Sequence, residues 1–290
     1  IPHLQVDVPT LQAEFHRKKK TAATGLDGVS RADWIAADEP TLQSLLSAFT
    51  RAETDGMWPR QLLAGKVHSL AKTESASAVG DYRPITVFGL AYRAWSSLHA
   101  RHLLLHADQW ADDGVYGNRP GRQAADLWHH VMLQVEQAYS SGVSLSGRSA
   151  DIETCFNCIP RYPALCLAVL VGTPHQVTTA WAGALSSMCR HFKVRESFSS
   201  GFATSTGLAE GCGLSVYGML LIDHLFALWL KHQAPAVQSL SYVDAWDTNF
   251  AVKQLELVEG YAGLLDLTVD RRKTFGWATD SRTRAQLRAS

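Results

Sequence analysis

The chain has no excess of charge of either sign. Its 290 residues include 27 lysines and arginines and 27 aspartates and glutamates, and the pI is about 7.3. A protein that coats nucleic acid without specificity is expected to be basic, so this balance argues against that class but leaves room for a locally basic cleft. Charged residues make up 19% of the chain, too few and too evenly mixed for a disordered protein.

Cysteines and leader signals are also sparse. Five cysteines, an odd number in a long chain, do not indicate a disulfide framework, so an intracellular, reducing environment is expected. The chain begins at Ile1 without a signal-peptide pattern and is expected to be a piece of a longer protein. No membrane partner is expected, because no apolar run is long enough and the best candidate, residues 219–230, is broken by Asp223 and His224.

Apolar residues supply 46% of the chain, enough to bury one large domain or two subdomains. Residues 66–72 and 81–87 predict two strands joined by a polar loop. Across such a hairpin Lys72 and Arg83 could face each other and clamp an anionic group such as a triphosphate. Two bases beside a loop are common, so this pattern alone is not specific.

Helical spacing of apolar residues recurs along the chain. It predicts helices over residues 89–110, 123–139, 162–171, 175–190 and 215–231. Ser215 is expected to cap the last of these helices. Short strands are predicted at residues 267–269 and 275–278.

The segment 240–247 combines a β-favouring run with acids. Leu240 to Val243 lead directly into Asp244, so a β-hairpin would place this carboxylate at its tip. An aspartate at a hairpin tip is most often a turn residue. The position is also suited to a hard cation, because Mg²⁺ prefers oxygen ligands, usually carboxylates together with substrate phosphates.

A second acid offers a partner for that position. Residues 149–153 predict a strand with Asp151 near its end, and Asp151 beside Asp244 would form the pair that a two-metal site requires. Cys155 and Cys158 give a competing signal, since a CxxC between a strand and a helix can be a redox dithiol. The bulky residues between the cysteines argue against that interpretation.

Taken in order, the motifs resemble the fingers and palm of a reverse transcriptase, nearest to the non-LTR retrotransposon and group II intron type. The likeness extends over residues 25–274. The matching segments are the GxDG-like residues 25–30, the fingers strands around 72 and 81–85, the loop 116–122, the first catalytic segment 151–157, the glycine-rich segment 207–215, the YxDD-like box 242–245 and the segment 267–274.

The resemblance implies an α+β fold with right-hand fingers and palm, an antiparallel, ferredoxin-like palm sheet packed on helices, and no evident thumb. Fingers would cover residues 1–145 and 190–205, and the palm residues 146–189 and 206–290. The implied activity is RNA-templated DNA polymerisation by two Mg²⁺ ions, with Mn²⁺ as a substitute. The implied partners are an RNA template with a DNA primer, dNTPs and flanking domains of a larger polyprotein, in the nucleus if the chain is part of a retrotransposon.

The resemblance also implies the catalytic residues. Asp151 and Asp244 would be metal ligands, and Ile152 would turn a backbone carbonyl toward a metal. Lys273 would lie near the pyrophosphate. Asp151, Asp244 and Lys273 are therefore the implied catalytic set.

Substrate-binding residues follow from the same matches. Lys72 and Arg83 would bind the incoming triphosphate. Phe156 would exclude a ribose 2′-hydroxyl and so favour deoxynucleotides. Glu210 and Gly211 would hold the templating base pair.

Three positions depart from the family pattern. Ala209 stands where Pro is usual, Glu210 where Gln is usual, and Ala245 replaces the second Asp of the box. Asp247 is a poor substitute, since on a strand it would point to the opposite face from Asp244. Lowered activity is the expectation, and a decayed reverse-transcriptase fold that binds RNA without chemistry is the alternative.

Overall fold

A computed structural model describes residues 1–242, 245–248 and 254–289. Its helices are α1 (Val8–Arg17), α2 (Arg31–Ala36), α3 (Glu39–Asp55), α4 (Leu90–Leu104), α5 (Ala124–Ser141), α6 (Cys155–Cys158), α7 (Arg161–Leu170), α8 (His175–Ser187), α9 (Gly213–Gln233), α10 (Gln254–Leu264) and α11 (Ser281–Ala289). Its strands are β1 (Ala64–Ala71), β2 (Tyr82–Val87), β3 (Ser146–Asp151), β4 (Cys189–Val194), β5 (Ser197–Phe198), β6 (Ser239–Tyr242), β7 (Ala245–Thr248) and β8 (Phe275–Ala278).

The chain forms two compact units. Unit 1 contains residues 1–103 and 168–216, and unit 2 contains residues 104–167 and 217–290. Each unit has one four-stranded sheet, with helices in both, so the α+β class is observed. The predicted division into fingers and palm does not coincide with these units and stays a prediction.

Unit 1 is built on a mixed sheet with the strand order β2-β1-β4-β5. β1 and β2 pair antiparallel with Lys66 opposite Val87, which confirms the predicted hairpin. β1 also pairs in parallel with β4, where Lys66 lies opposite His191. Because directly paired residues share one face of a sheet, this register fixes which side chains neighbour each other.

An aromatic cluster forms part of the core of unit 1. Trp58 packs edge-on against Tyr92 and Trp95, with ring centroids 5.3 and 4.8 Å apart. Its indole N–H donates to the carbonyl oxygen of Ala180 on α8 at 2.8 Å. Buried aromatic rings contribute large apolar areas together with favourable edge-to-face geometry, and here they join α4 to α8.

Unit 2 is built on an antiparallel sheet with the order β6-β7-β3-β8. β3 is a central strand, and β6 and β7 form the predicted hairpin, with Tyr242 opposite Ala245. Arg148 and Ala150 of β3 are buried, whereas Asp151 is partly exposed. Alternation along a strand therefore places Asp151 on the face opposite to these two residues.

The central helix of unit 2 is mostly apolar. By length and composition α9 would qualify as a membrane span, so the prediction that no apolar segment is long enough is wrong. However, 72% of its apolar window is buried within the protein. On α10 the hydroxyl of Tyr261 donates to the carbonyl oxygen of Ile222 at 2.9 Å. This burial is typical of the core helix of a folded domain.

Three other local predictions need correction. α9 begins at Gly213, so Ser215 lies within the helix and donates to the carbonyl oxygen of Ala209 instead of capping. α8 ends at Ser187, because β4 starts at Cys189 and pairs with β1. Residues 267–269 contribute only one bridge, Val269 to Ile152, in place of a strand.

Candidate functional site

Asp151 occupies the end of the central strand of unit 2. Its backbone pairs with Ala245, the first residue of β7. On the other side, its carbonyl oxygen accepts a hydrogen bond from the amide of Asp270 at 2.7 Å. Strand pairing on one side and the 270 turn on the other thus fix the position of this carboxylate.

The Asp151 carboxylate contacts a lysine. The ammonium of Lys273 lies 2.5 Å from its Oδ2 and 3.8 Å from Oδ2 of Asp270. Arg272 donates through its Nε to Oδ1 of Asp270 at 3.1 Å. These bonds from Arg272 hold the pKa of the Asp270 carboxyl below its usual value. Asp151 and Asp270 are therefore each paired with a cation of the same cluster.

The turn that follows Asp151 is strained. Thr154 has φ of 46°, and a β-branched residue in this left-handed region is unusual. Phe156 lies on the short helix α6 and is half-buried. Of the two cysteines at the ends of α6, Cys155 is buried and Cys158 is partly exposed. No disulfide is formed among the described cysteines.

The loop 114–122 is attached to the same sheet. The amides of Tyr116 and Gly117 donate to the carbonyl oxygen of Ser241 on β6. Arg119 is 4% exposed and forms an ion pair with Asp108, and it also donates to the backbone carbonyl oxygens of Asp112 and Val115. The first arginine of the loop is therefore a structural residue, which the sequence match alone did not indicate.

The donor set around Asp151 fits a hard divalent cation in part. Its carboxylate oxygens suit Mg²⁺, and the next residue, Ile152, forms a single β-bridge with Val269. Asp244, the other predicted ligand, lies outside the described residues. Within the described ranges, no group of three or more His, Cys, Asp or Glu side chains could hold a metal ion.

In unit 1, Lys72 and Arg83 do not lie directly opposite each other. Arg83 pairs with Leu70, and the amide of Lys72 donates to the carbonyl oxygen of Asp81. Both side chains are exposed, and the ammonium of Lys72 donates to the carbonyl oxygen of Gly80 at 2.8 Å. The two bases are thus diagonal neighbours at one end of the hairpin.

Glu210 and Gly211 lie against the backbone of β2. The carbonyl oxygen of Glu210 accepts a hydrogen bond from the amide of Thr86 at 2.8 Å. Gly211 has φ of 108°, and a Cβ there would be 2.1 Å from the Thr86 carbonyl oxygen. Only glycine permits this approach. The structure thus explains the glycine, whereas the base-pair role of the two residues stays a prediction.

Sequence reasoning missed several charged residues of unit 1. Arg190 on β4 is 6% exposed and donates to Thr204. Burial lowers its pKa, and the charge of Glu210 opposes this shift. Lys66, on the other face of the sheet, is half-buried without a close carboxylate partner among the described residues. Sequence reasoning could not find these residues as neighbours, because β1 and β4 are distant in sequence and come together only through their pairing in the sheet.

Comparisons with known proteins support the fold. No family model matches the chain. The chain is 26% identical over 264 residues to the putative 115 kDa protein in type-1 retrotransposable element R1DM of Drosophila melanogaster, covering 84% of this chain and 23% of that protein. The chain therefore spans about a quarter of the length of this relative.

Solved structures of Candida tropicalis telomerase are also similar. The enzyme in complex with a fragment of telomeric RNA superposes with a TM-score of 0.56 at 13% identity, over 87% of this chain and 45% of that one. The apo enzyme truncated from its C-terminal domain gives 0.55, over 76% and 51%. At this identity the likeness concerns the fold alone. The chain has a reverse-transcriptase-like fold.

Proposed function

We propose that this chain is the polymerase part of a retroelement protein and that it copies RNA into DNA by adding dNTPs to a primer 3′-hydroxyl. The observation that carries the proposal is the placement of Asp151. Its carboxylate stands at the end of a central antiparallel strand, next to the β6–β7 hairpin, and contacts Lys273. The relative in a retrotransposable element supports the retroelement setting. An intracellular location, nuclear for a retrotransposon protein, belongs to the same proposal.

Asp151, the carbonyl of Ile152 and Asp244 would hold Mg²⁺ in this proposal, with Mn²⁺ as a substitute. Two such ions, when bound, would activate the primer hydroxyl and stabilise the leaving pyrophosphate. Lys273 neutralises Asp151 in the free protein. With the ions bound, its ammonium would be placed to donate to the pyrophosphate oxygens.

The remaining predicted residues bind substrate. Lys72 and Arg83 are exposed cations at the end of a hairpin and would neutralise the triphosphate. Phe156 would select against a ribose 2′-hydroxyl. Glu210 and Gly211, held against β2, would support the templating base pair. The RNA template and DNA primer are the proposed macromolecular partners.

The second candidate function is RNA binding without chemistry. It is favoured by one observation: the residue paired directly with Asp151 is Ala245, where the family pattern has a second carboxylate. A site with fewer carboxylates binds divalent cations less tightly, and phosphoryl transfer depends almost entirely on positioning and charge stabilisation.

Primer extension on poly(rA)/oligo(dT) with Mg²⁺ or Mn²⁺ tests the proposal. The parent chain is expected to extend the primer, and Asp151→Asn and Asp244→Asn are each expected to lose about a hundredfold or more in rate. Asp113→Asn removes a 98% exposed carboxylate and serves as the matched control. Ala245→Asp is expected to raise the rate.

The other outcomes separate the two functions. A silent parent chain whose activity appears in Ala245→Asp would identify a decayed polymerase. If both remain silent while primer–template still binds, the polymerase proposal fails and RNA binding takes its place. Unchanged extension by Asp151→Asn would remove the metal-ligand role of that residue.

A further inference from the structure

The sheet of unit 1 has two chemically different faces. Gly65, Val67 and Thr86 share one face, which is buried, and Arg190 is paired with Gly65 on the same side. We name this the closed face. The carbonyl oxygen of Glu210 accepts a hydrogen bond from the amide of Thr86 at the edge of this sheet.

The opposite face carries cations and is named the basic face. Lys66 and His68 alternate along β1 and therefore point to the same side. Lys66 is paired with His191 of β4, so Lys193, two residues further, shares this side as well. Arg83 of β2 also belongs to it through its pairing with Leu70.

The lysines of this face have little compensation. Lys66 forms no ion pair or side-chain hydrogen bond with any residue in the described ranges, although it is half-buried. Lys193 has one acid, Glu196, at 3.8 Å, and that carboxylate is 95% exposed. Burial, followed by the charges of Lys193 and Arg93, lowers the pKa of Lys66, and Asp27 offsets this only in part. Such an arrangement costs stability, so it indicates an external anion.

The row of cations on the basic face is longer than the proposed triphosphate site, one residue of which, Arg83, lies on this same face opposite Leu70. Lys72 and Lys66 are six positions apart on an extended chain, which corresponds to about 20 Å. One triphosphate cannot span that length. A single nucleic-acid strand that advances about 3.4 Å per nucleotide covers it with about six nucleotides.

We propose that Lys66, His68 and Lys193 form a second anion site on the basic face, which binds backbone phosphates of a single nucleic-acid strand. The proposal rests on the polymerase function only for the nature of the strand. The shared chemistry is the phosphodiester backbone of RNA or DNA. Contacts of this kind position a strand without reading its sequence.

His68 makes this binding depend on pH. Burial, then the charges of Lys66 and Lys193, lower the pKa of its ring. A phosphate placed beside the ring adds negative charge and favours its protonation, so binding takes up a proton. Other titratable or charged groups near these residues are His191, whose Nδ1 lies 3.0 Å from the Ser199 carbonyl oxygen, and Arg83 on the same face. Glu196 lies beside Lys193, and the charges of Asp27 and Arg93 act on Lys66. Affinity is therefore expected to rise as pH falls from about 7.5 to 6.

Fluorescence anisotropy with the whole 290-residue chain tests the site. The probes are labelled U12 and dT12, measured between 50 and 200 mM salt without Mg²⁺ and without dNTP. Lys66→Gln and Lys193→Gln are each expected to weaken binding several-fold and to reduce the slope of log K against log salt by about 0.7. Arg60→Gln, an exposed cation of the same unit, is the matched control and should leave both quantities unchanged.

Two further readouts distinguish a binding site from a structural cluster. Lys66→Gln relieves repulsion, so its thermal midpoint should not fall, whereas a structural lysine would lower it. His68→Gln should flatten the pH dependence of binding, and His191→Gln should retain it. Weaker binding of U12 by the lysine variants identifies the strand as RNA, and weaker binding of dT12 identifies it as DNA. Weaker binding of both shows that the site accepts either strand.

The proposal is overturned if both lysine variants bind U12 and dT12 as the parent and Arg60→Gln do. This outcome is independent of polymerase chemistry, because neither metal nor nucleotide is present. A chain that extends no primer but shows the losses satisfies the inference. A chain that extends primers while both lysine variants bind normally contradicts it.

Discussion

The two sheets treat their lysines in opposite ways. In unit 2, Lys273 lies 2.5 Å from Asp151 and 3.8 Å from Asp270, so its charge is matched within the protein. In unit 1, Lys66 has no ion-pair partner among the described residues. The positive charge of Lys193 contributes to lowering its pKa. The overall charge of zero hides this difference completely.

The difference separates two tasks that basic residues perform. A lysine that is paired with an acid of the protein holds that acid in position. Such a lysine can bind another anion only when another cation replaces it beside the acid. A lysine without such an acid has an energetic cost in the free protein, which an incoming anion can repay. Net charge therefore says little about nucleic-acid binding, and the pairing of each cation says more.

The largest expected effect concerns Gly211, which lies against the backbone of the edge strand β2. Gly211→Ala should destabilise the protein by about 3 kcal/mol or more, since the new Cβ would meet the Thr86 carbonyl oxygen at 2.1 Å in a strained conformation. Gly28→Ala is the control, because Gly28 has φ of 70° with open space around it, and about 1 kcal/mol is expected there. Urea unfolding measures both, and equal losses would contradict the steric argument.

Exchanging the two lysines for glutamine tests the comparison directly. Lys273→Gln should lower the free energy of unfolding by up to about 1 kcal/mol, because a half-buried acid loses its partner at a largely exposed site. Lys66→Gln should leave that free energy unchanged or raise it. Chemical denaturation of both variants at low salt gives the answer, and a loss of stability in Lys66→Gln would remove the contrast between the sheets.

The strained backbone at Thr154, just after the end of β3, should also affect stability. Thr154→Gly should raise the free energy of unfolding by up to about 1 kcal/mol, because glycine adopts a φ of 46° without the steric cost that threonine has there. Thr268→Gly, at a residue whose φ is not positive, should instead lose about 0.5–1 kcal/mol. The result would be contradicted if both variants changed in the same direction.

The smallest effects are pH dependences. The pKa of Asp270 is below its ordinary value in the folded protein, so the unfolded chain binds more protons as pH falls, and the contribution of Asp270 is lost below about pH 4. Asp270→Asn should remove part of that acid dependence. The lowered pKa of Lys66 also makes stability rise with pH, but at alkaline pH. Any gain from Lys66→Gln should therefore shrink as pH approaches 10.5, which denaturation at several pH values can measure.

Local sequence patterns correctly predicted the secondary-structure elements that are determined by residues close together in sequence. The hairpin of β1 and β2, the strand β3 and the hairpin of β6 and β7 follow from alternating apolar residues and intervening loops, and all three are confirmed. α8 ended three residues earlier than predicted, because residues from Cys189 onward pair with β1. A parallel partner more than a hundred residues away has no local signal.

The candidate site shows the same limit. The local sequence pattern placed Asp151 near the end of a strand, and the structure agrees. It could not indicate that Arg119 is buried against Asp108. Nor could it indicate that Ser215 would lie inside α9, because the start of that helix depends on packing of Gly213 against Ser96.

The parallel pairing of β1 with β4 also determines when unit 1 can fold. During synthesis the β1–β2 hairpin is complete about a hundred residues before β4 emerges, and residues 104–167, which belong to unit 2, are made in between. Until then β1 has an unpaired edge that can join to another chain. A long loop must also close before the sheet is complete, which slows folding. The nascent protein is therefore expected to depend on a chaperone at this stage more than a chain of continuous domains would.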